Sequence, residues 1–419
     1  MSRTLVVALL WAAGTAGAAA RAPAQDEPRR VSLEEALALF SQNGLALRIA
    51  RADAARDAAR ARQAAGYPNP VGGVTHEALN GDDAGGYNET YVTLTQQIRW
   101  PWESAARGKT ATAEGETAAH RLAGDSLRLA FEMKRTFVEA ASAESLRDGL
   151  AEATGLVREA LRHATDRVTA GDLSGYALRR LRVERARYES ELLAATLAMR
   201  AARRRLAGLL VPESDSVIAP AGLPAGDPPD VALDALVGLD AGVPALAAAR
   251  AALSAAQADQ QAVSRGRVPA FTATGGYKTQ SDGLDGVFLG FTLPFPLFDR
   301  RGAAAAEATA ASAAAEAQLA LTGRLVENDL RLAFETYQAA RDRSRLVGDE
   351  LLTEPEALLR IARVAYAEGE MSLVELLDAV DAFRAARAAL VEVRRDLWVS
   401  FFDFERAAGG LPSGLEGGR

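Results

Sequence analysis

The sequence predicts a mainly helical chain with a minority of β-strand, built as a duplicated body of long coiled-coil helices. Three observations carry this. Two stretches, Glu103 to Ala170 and Gly302 to Glu368, keep helical composition almost throughout. Landmarks recur at a spacing of about 200 residues, and a self-similar chain of this kind is a repeat architecture. Between the helical stretches lie short runs that alternate apolar and polar residues, the period of a strand.

The repeat fixes the order of elements. Gly171 and Ser174 of AGDLSGYALRR answer Gly369 and Ser372 of AEGEMSLVELL. Pro68 answers Pro269, Pro101 answers Pro296, and Gly108 answers Gly302. The first repeat is expected over 31–210 and the second over 243–408, separated by a Pro, Gly and Asp-rich linker, 211–242, and followed by a flexible tail, 409–419. In the first repeat Ser32 and Glu35 form a capping box that opens a helix running to Gly66. A β-hairpin follows over 68–98, then a long helix over 103–170 and a helix over 172–210. The second repeat has an opening helix, a hairpin over 269–296, a long helix over 302–368 and a helix over 372–408.

At 1.5 Å per residue, each long helix spans roughly 100 Å, more than a compact domain of this size can hold. The helices must therefore lie side by side in an elongated body, with two shorter helices end to end beside each long one. A 3.5-residue seam supports coiled-coil packing. From Leu373 it passes through Leu376, Val380, Phe383, Arg387, Leu390, Arg394, Leu397, Phe401 and Phe404, and from Leu178 through Leu181, Arg185, Tyr188, Leu192, Ala195, Met199, Ala202, Leu206 and Leu209, apolar at all but the three arginines.

Composition excludes several functions. The chain has 419 residues and no Cys, so thiolate metal sites, disulfides and cysteine nucleophiles are out. Its three His, at 76, 120 and 163, have no ligand spacing, and no metal or cofactor is expected. A net charge of −7 argues against nucleic acid as a partner. No nucleophile elbow, phosphate-binding loop or dinucleotide fingerprint is present, and Asp82 and Asp83 sit in an expected surface turn, so no catalytic residue is assigned.

Residues 1–24 read as a signal peptide. Arg3 precedes the apolar run Leu5 to Ala13, and Ala22-Pro23-Ala24 fits a cleavage site before Gln25. No later run is long enough for a membrane-spanning helix, which needs roughly 20 apolar residues.

The hairpins suggest a different route into a membrane. Strands of this length suit a tilted transmembrane β-strand. Four cannot close a barrel, but three chains would supply twelve. Trp100 and Trp102 in one half, and Phe291, Phe295 and Phe298 in the other, sit at strand-to-helix junctions. They read either as an aromatic belt at the membrane interface or as plugs of the junction core.

GYPNP and IRWPWESAARGK in the first copy, with LPFPLFDRRGAAAAEA and YAEGEMSLVELLDA in the second, resemble the TolC-like outer-membrane efflux family. The PLFDRRGA form looks most like its cation-efflux branch. The resemblance implies a homotrimer with a 12-stranded transmembrane β-barrel in outer-membrane lipid, continued into the periplasm by an α-helical barrel. It further implies a periplasmic adaptor and an inner-membrane transporter as partners, and an exit duct rather than a catalyst. Gly171, Ser174, Gly369 and Ser372 correspond to the adaptor-docking tips. Glu375 and Asp378 match the acidic residues that constrict the closed pore, although Ser372 with Glu375 also spells a capping box. Arg179, Arg180 and Arg182 on the other tip are candidates for a latch onto those carboxylates. The competing expectation is a soluble periplasmic coiled-coil scaffold or adaptor. The transported substrate is not legible in the chain.

Overall fold

The computed structural model describes residues 28–79, 86–171, 173–210, 218–231 and 242–410, apart from the side chains of 348–353 and 355 within a helix. The expected signal peptide, Asp82 and Asp83, parts of the linker and residues 411–419 lie outside the described residues.

The described chain opens with strand β1 (Arg29–Val31) and helices α1 (Leu33–Asn43) and α2 (Leu45–Ala65). The Ser32 and Glu35 capping box forms as expected. The single helix expected from Ser32 to Gly66 is instead broken at Gly44, whose ψ of 111° leaves the helical region. A Cβ there would come within 2.6 Å of the Phe40 carbonyl oxygen and 2.9 Å of its ring, so only glycine fits this close approach.

Strands β2 (Val71–Leu79) and β3 (Tyr87–Ile98) make the first hairpin. Helix α3 (Pro101–Ala170) then runs unbroken for 70 residues, with proline at its first position, where no amide partner is lost. Helix α4 (Gly175–Leu210) returns alongside it. Strand β4 (Ile218–Pro220), inside the linker, pairs in parallel with β1.

The second half repeats the plan with α5 (Pro244–Arg265), β5 (Phe271–Gln280), β6 (Asp285–Thr292), α6 (Gly302–Glu368) and α7 (Leu373–Ala407). Strand β6 stops at Thr292, short of the expected run to Pro296, because Pro294 and Pro296 cannot donate to a ladder. The two hairpins join through β3 and β5 into one antiparallel sheet of order β2-β3-β5-β6, whose outer edges are β2 and β6.

The long helices pack as their lengths require. Helix α3 has α2 and α5 beside its first part, where Asp57, Glu114 and Asp259 share one cleft. Farther along, Arg203 reaches Glu144 from α4, and Lys134 pairs with Glu405 of α7. Helix α6 likewise has α5 and then α7 as neighbours. Helix α3 thus has four shorter helices beside it and α6 has two, where two were expected beside each.

The larger core lies midway, around the β1–β4 pair. Val31, Phe137, Leu206, Ile218, Tyr337, Leu397 and Phe404 are all at most 1% exposed. Burial of side chains this size contributes roughly 1.5–3 kcal/mol each. The buried Glu144 carboxylate accepts from Arg30 at 2.7 Å and Arg203 at 2.9 Å, tying the start of the described chain to α3 and α4. A second core, with Val157, Leu181, Tyr188, Ala362, Val380 and Phe383, joins the helices near the ends far from the sheet.

Of the α4 residues that are buried, all but Leu210 lie on the expected seam. The α7 seam slips between Phe383 and Leu397. There Val391 and Val393 are buried while Arg394 points to solvent, because a straight 3.6-residue helix drifts off a strict 3.5-residue repeat.

Candidate functional site

The two helical turns farthest from the sheet are built alike. Gly171 closes α3 at φ 87° and Gly369 closes α6 at φ 84°. This left-handed conformation lets each glycine amide turn back to a carbonyl of the last turn. Ser174 then accepts from the Ala177 amide at 3.3 Å, and Ser372 from the Glu375 amide at 3.3 Å, opening α4 and α7. The Arg167 guanidinium lies against Gly369, so the two turns are neighbours.

Glu375 and Asp378 share the exposed face of the first α7 turns, but in different states. The Glu375 carboxylate folds back to accept from the Ser372 amide at 2.9 Å, completing the capping box. The Ser372 side chain, together with that amide, holds the Glu375 carboxyl below its ordinary range. Asp378 is exposed and has no hydrogen-bond or ion-pair partner among the described residues. Arg179, Arg180 and Arg182 are also exposed, and among the described residues none pairs with a carboxylate. No link from them to Glu375 or Asp378 exists within the chain.

At the opposite end, strand register sorts the sheet into two unlike faces. Val74 faces Val92, Leu94 faces Gly275, and Gly275 faces Leu289. Alternation therefore places Val74, Val92, Leu94, Ile98, Phe271, Ala273, Tyr277, Val287, Leu289 and Phe291 on one side. Most are exposed, Val287 at 84% and Leu289 at 81%. The other side bears Thr75, Glu77, Glu89, Thr93, Thr95, Thr272, Thr274 and Lys278.

Aromatic residues gather where sheet meets helices. Trp100 stacks on Trp102 with ring centroids 5.0 Å apart, donates its indole N–H to the Pro269 carbonyl at 3.0 Å, and touches Phe271, which in turn meets Phe291. Phe295 and Phe298 project from the loop after β6, 78% and 100% exposed, and plug no core within the chain.

The sheet thus sits, with one apolar face exposed, on one end of a roughly 100 Å helical body, and known proteins share this architecture. Residues 239–410 match the family model described as outer membrane efflux protein. The match spans the second repeat of the chain. Solved structures with the same fold include the outer-membrane channel OprN, at TM-score 0.73 and 19% identity over 90% of both chains. The Campylobacter jejuni CmeC outer membrane channel matches at TM-score 0.75 and 15% identity, over 90% of this chain and 85% of that one. The Neisseria gonorrhoeae MtrE outer membrane channel, in its open state, matches at 0.70 and 17%, over 90% and 89%. No curated protein matches the chain significantly by sequence.

One group of side chains that binds one helix hairpin to the other escapes sequence reasoning. The Tyr188 hydroxyl of α4 donates to Asp381 of α7 at 2.7 Å, Arg187 lies 3.3 Å from the same carboxylate, and Arg384 of α7 reaches Glu191 of α4 at 3.4 Å. Burial, then the bond to Asp381, raises the Tyr188 hydroxyl well above its ordinary value. Tyr188 lies on the legible α4 seam, but nothing in the sequence reveals which acid faces it. Among the described residues no group of His, Asp and Glu is arranged to hold a metal ion, and no helix is long and apolar enough to cross a membrane.

Proposed function

We propose that the chain is one third of a passive exit duct that carries substrates out of the cell for a tripartite efflux system. The observation that carries this reading is the four-stranded sheet, apolar and exposed on one face and with unpaired edges at β2 and β6. Backbone edges left open in hydrocarbon cost several kcal/mol per unpaired group, so strands cross a bilayer only as a closed barrel. Pairing β6 of one copy with β2 of the next closes twelve strands from three chains, with the apolar face toward lipid and the polar face toward the lumen. Trp100, Trp102, Phe291, Phe295 and Phe298 then form the interfacial belt at the periplasmic rim.

The helical body extends into the periplasm, where the turns at Gly171, Ser174, Gly369 and Ser372 dock a periplasmic adaptor that links the duct to an inner-membrane transporter. Three copies of Asp378, supported by Glu375, constrict the closed end and favour cations there. Arg179, Arg180 and Arg182 latch the closed end across protomers, since among the described residues of one chain they pair with no carboxylate. The duct performs no chemistry.

Cell fractionation and planar-bilayer recording test this reading. The protein should partition with outer membranes, run as a trimer in detergent and open discrete conductance steps. Recovery as a detergent-independent monomer in the periplasmic extract would instead establish the scaffold reading.

A further inference from the structure

The polar face of the sheet carries a charge arrangement that strand pairing alone disfavours. Glu77 and Glu89 are direct cross-strand partners in the β2–β3 register, and like charges so placed repel. Lys278 of β5 resolves the conflict from the second hairpin. It stands opposite Tyr91, 5.2 Å from that ring centroid, and reaches diagonally to place its ammonium 2.8 Å from Glu89 Oε1. Tyr87 donates to the same oxygen at 2.6 Å, and Tyr91 and Gln280 also donate to the carboxylate. The Glu89 side chain is left only 11% exposed. Glu77 is exposed and has no ion pair among the described residues. These three are the charged residues on the polar face of the described strands.

We propose that Lys278 sets the ion preference of the barrel lumen by masking Glu89, so that Glu77 alone presents uncompensated charge. Resting on the trimeric-duct reading, this gives three open carboxylates around the lumen instead of six. The ligand class that senses the difference is the multivalent cation, whose attraction to a carboxylate ring grows with both charges. The masking is preorganised, because four donors converge on Glu89 from two hairpins and hold it away from the lumen axis.

Single-channel recording at low ionic strength tests the assignment, with hexaamminecobalt(III) as blocker added first to the barrel side and then to the helical side. Weak screening keeps the ring's field effective under these conditions. Lys278→Gln should tighten barrel-side block about tenfold and leave helical-side block unchanged. Lys278→Gln with Glu89→Gln should restore native block, and Glu77→Gln should weaken it. Barrel-side block within twofold of native in Lys278→Gln, or an equal change from both sides, overturns the proposal. If Lys278→Gln yields no channels, Glu77→Gln decides, since unaltered barrel-side block in that variant overturns it as well. A native protein that forms no channel overturns the duct reading itself, a result distinct from channels that ignore Lys278.

Discussion

The Tyr188 hydroxyl donates a 2.7 Å hydrogen bond to Asp381, binding α4 to α7 at a level where the helix pair is also joined by Arg384 and Glu191. Tyr188 is 1% exposed whereas the Asp381 side chain is 41% exposed, so a buried donor meets a carboxylate that keeps contact with water. The bond orients the two hairpins without an unpaired buried charge.

Tyr188→Phe should therefore destabilise the protein by about 1 kcal/mol, the net worth of one such bond, and raise the open fraction of channels. The Arg187 and Arg384 contacts to Asp381 are solvent-screened and cannot replace it. Denaturant unfolding and bilayer recording of the same variant check both parts. Unchanged gating would reduce the bond to a packing detail.

The capping box at Ser372 predicts a pH dependence confined to the start of α7. The Glu375 carboxyl is held below its ordinary range in the folded chain, so the cap is fully formed above the unfolded value of about 4.3. It is lost as pH falls through the lower folded value. Amide exchange at 373–376 should accelerate in that acid window and nowhere else in α7. Glu375→Gln, which can still accept from the Ser372 amide, should remove the pH dependence while retaining much of the protection.

Asp378 has no partner among the described residues, so on the duct reading its charge is free to act on permeant ions. Asp378→Asn should lower the cation preference of the closed-state conductance, measured as reversal potential in a salt gradient, with little change in stability. Glu375→Gln should have the smaller effect of the two, because its carboxylate is turned back onto the helix end.

Charge reversal at the first tip tests the inter-protomer latch. Arg179→Glu with Arg180→Glu should raise single-channel conductance if these guanidiniums hold the closed end across subunits. The same conductance as native protein would leave the closed state to the Tyr188–Asp381 contact alone.

Much of this molecule was legible from periodicity and repetition. The long helices, the two hairpins and the sorting of Val287, Leu289 and Phe291 to one face follow from residue spacing, which backbone geometry translates directly. The break at Gly44 was readable in principle from Asn43-Gly44, but the Ala and Leu content on either side masked it. Relations between distant segments were not legible. The pairing of Glu89 with Lys278, and of Tyr188 with Asp381, each depends on how the first repeat sits against the second. A register shift of one residue would abolish the Glu89 contact without altering composition. Glu375 was ambiguous because one spacing serves both a cap and a pore-lining acid, and only side-chain geometry shows the cap formed.

The open rims of β2 and β6 bear on how the protein reaches its destination. A lone newly exported subunit carries two hungry strand margins and a greasy flank, so it can neither dissolve comfortably in water nor settle by itself in lipid. On the trimeric-duct reading, entry into the bilayer and the meeting of three subunits must then be one event. Its speed would rise steeply with the supply of export-competent chains, and a scarce subunit would linger as prey for periplasmic proteases and chaperones.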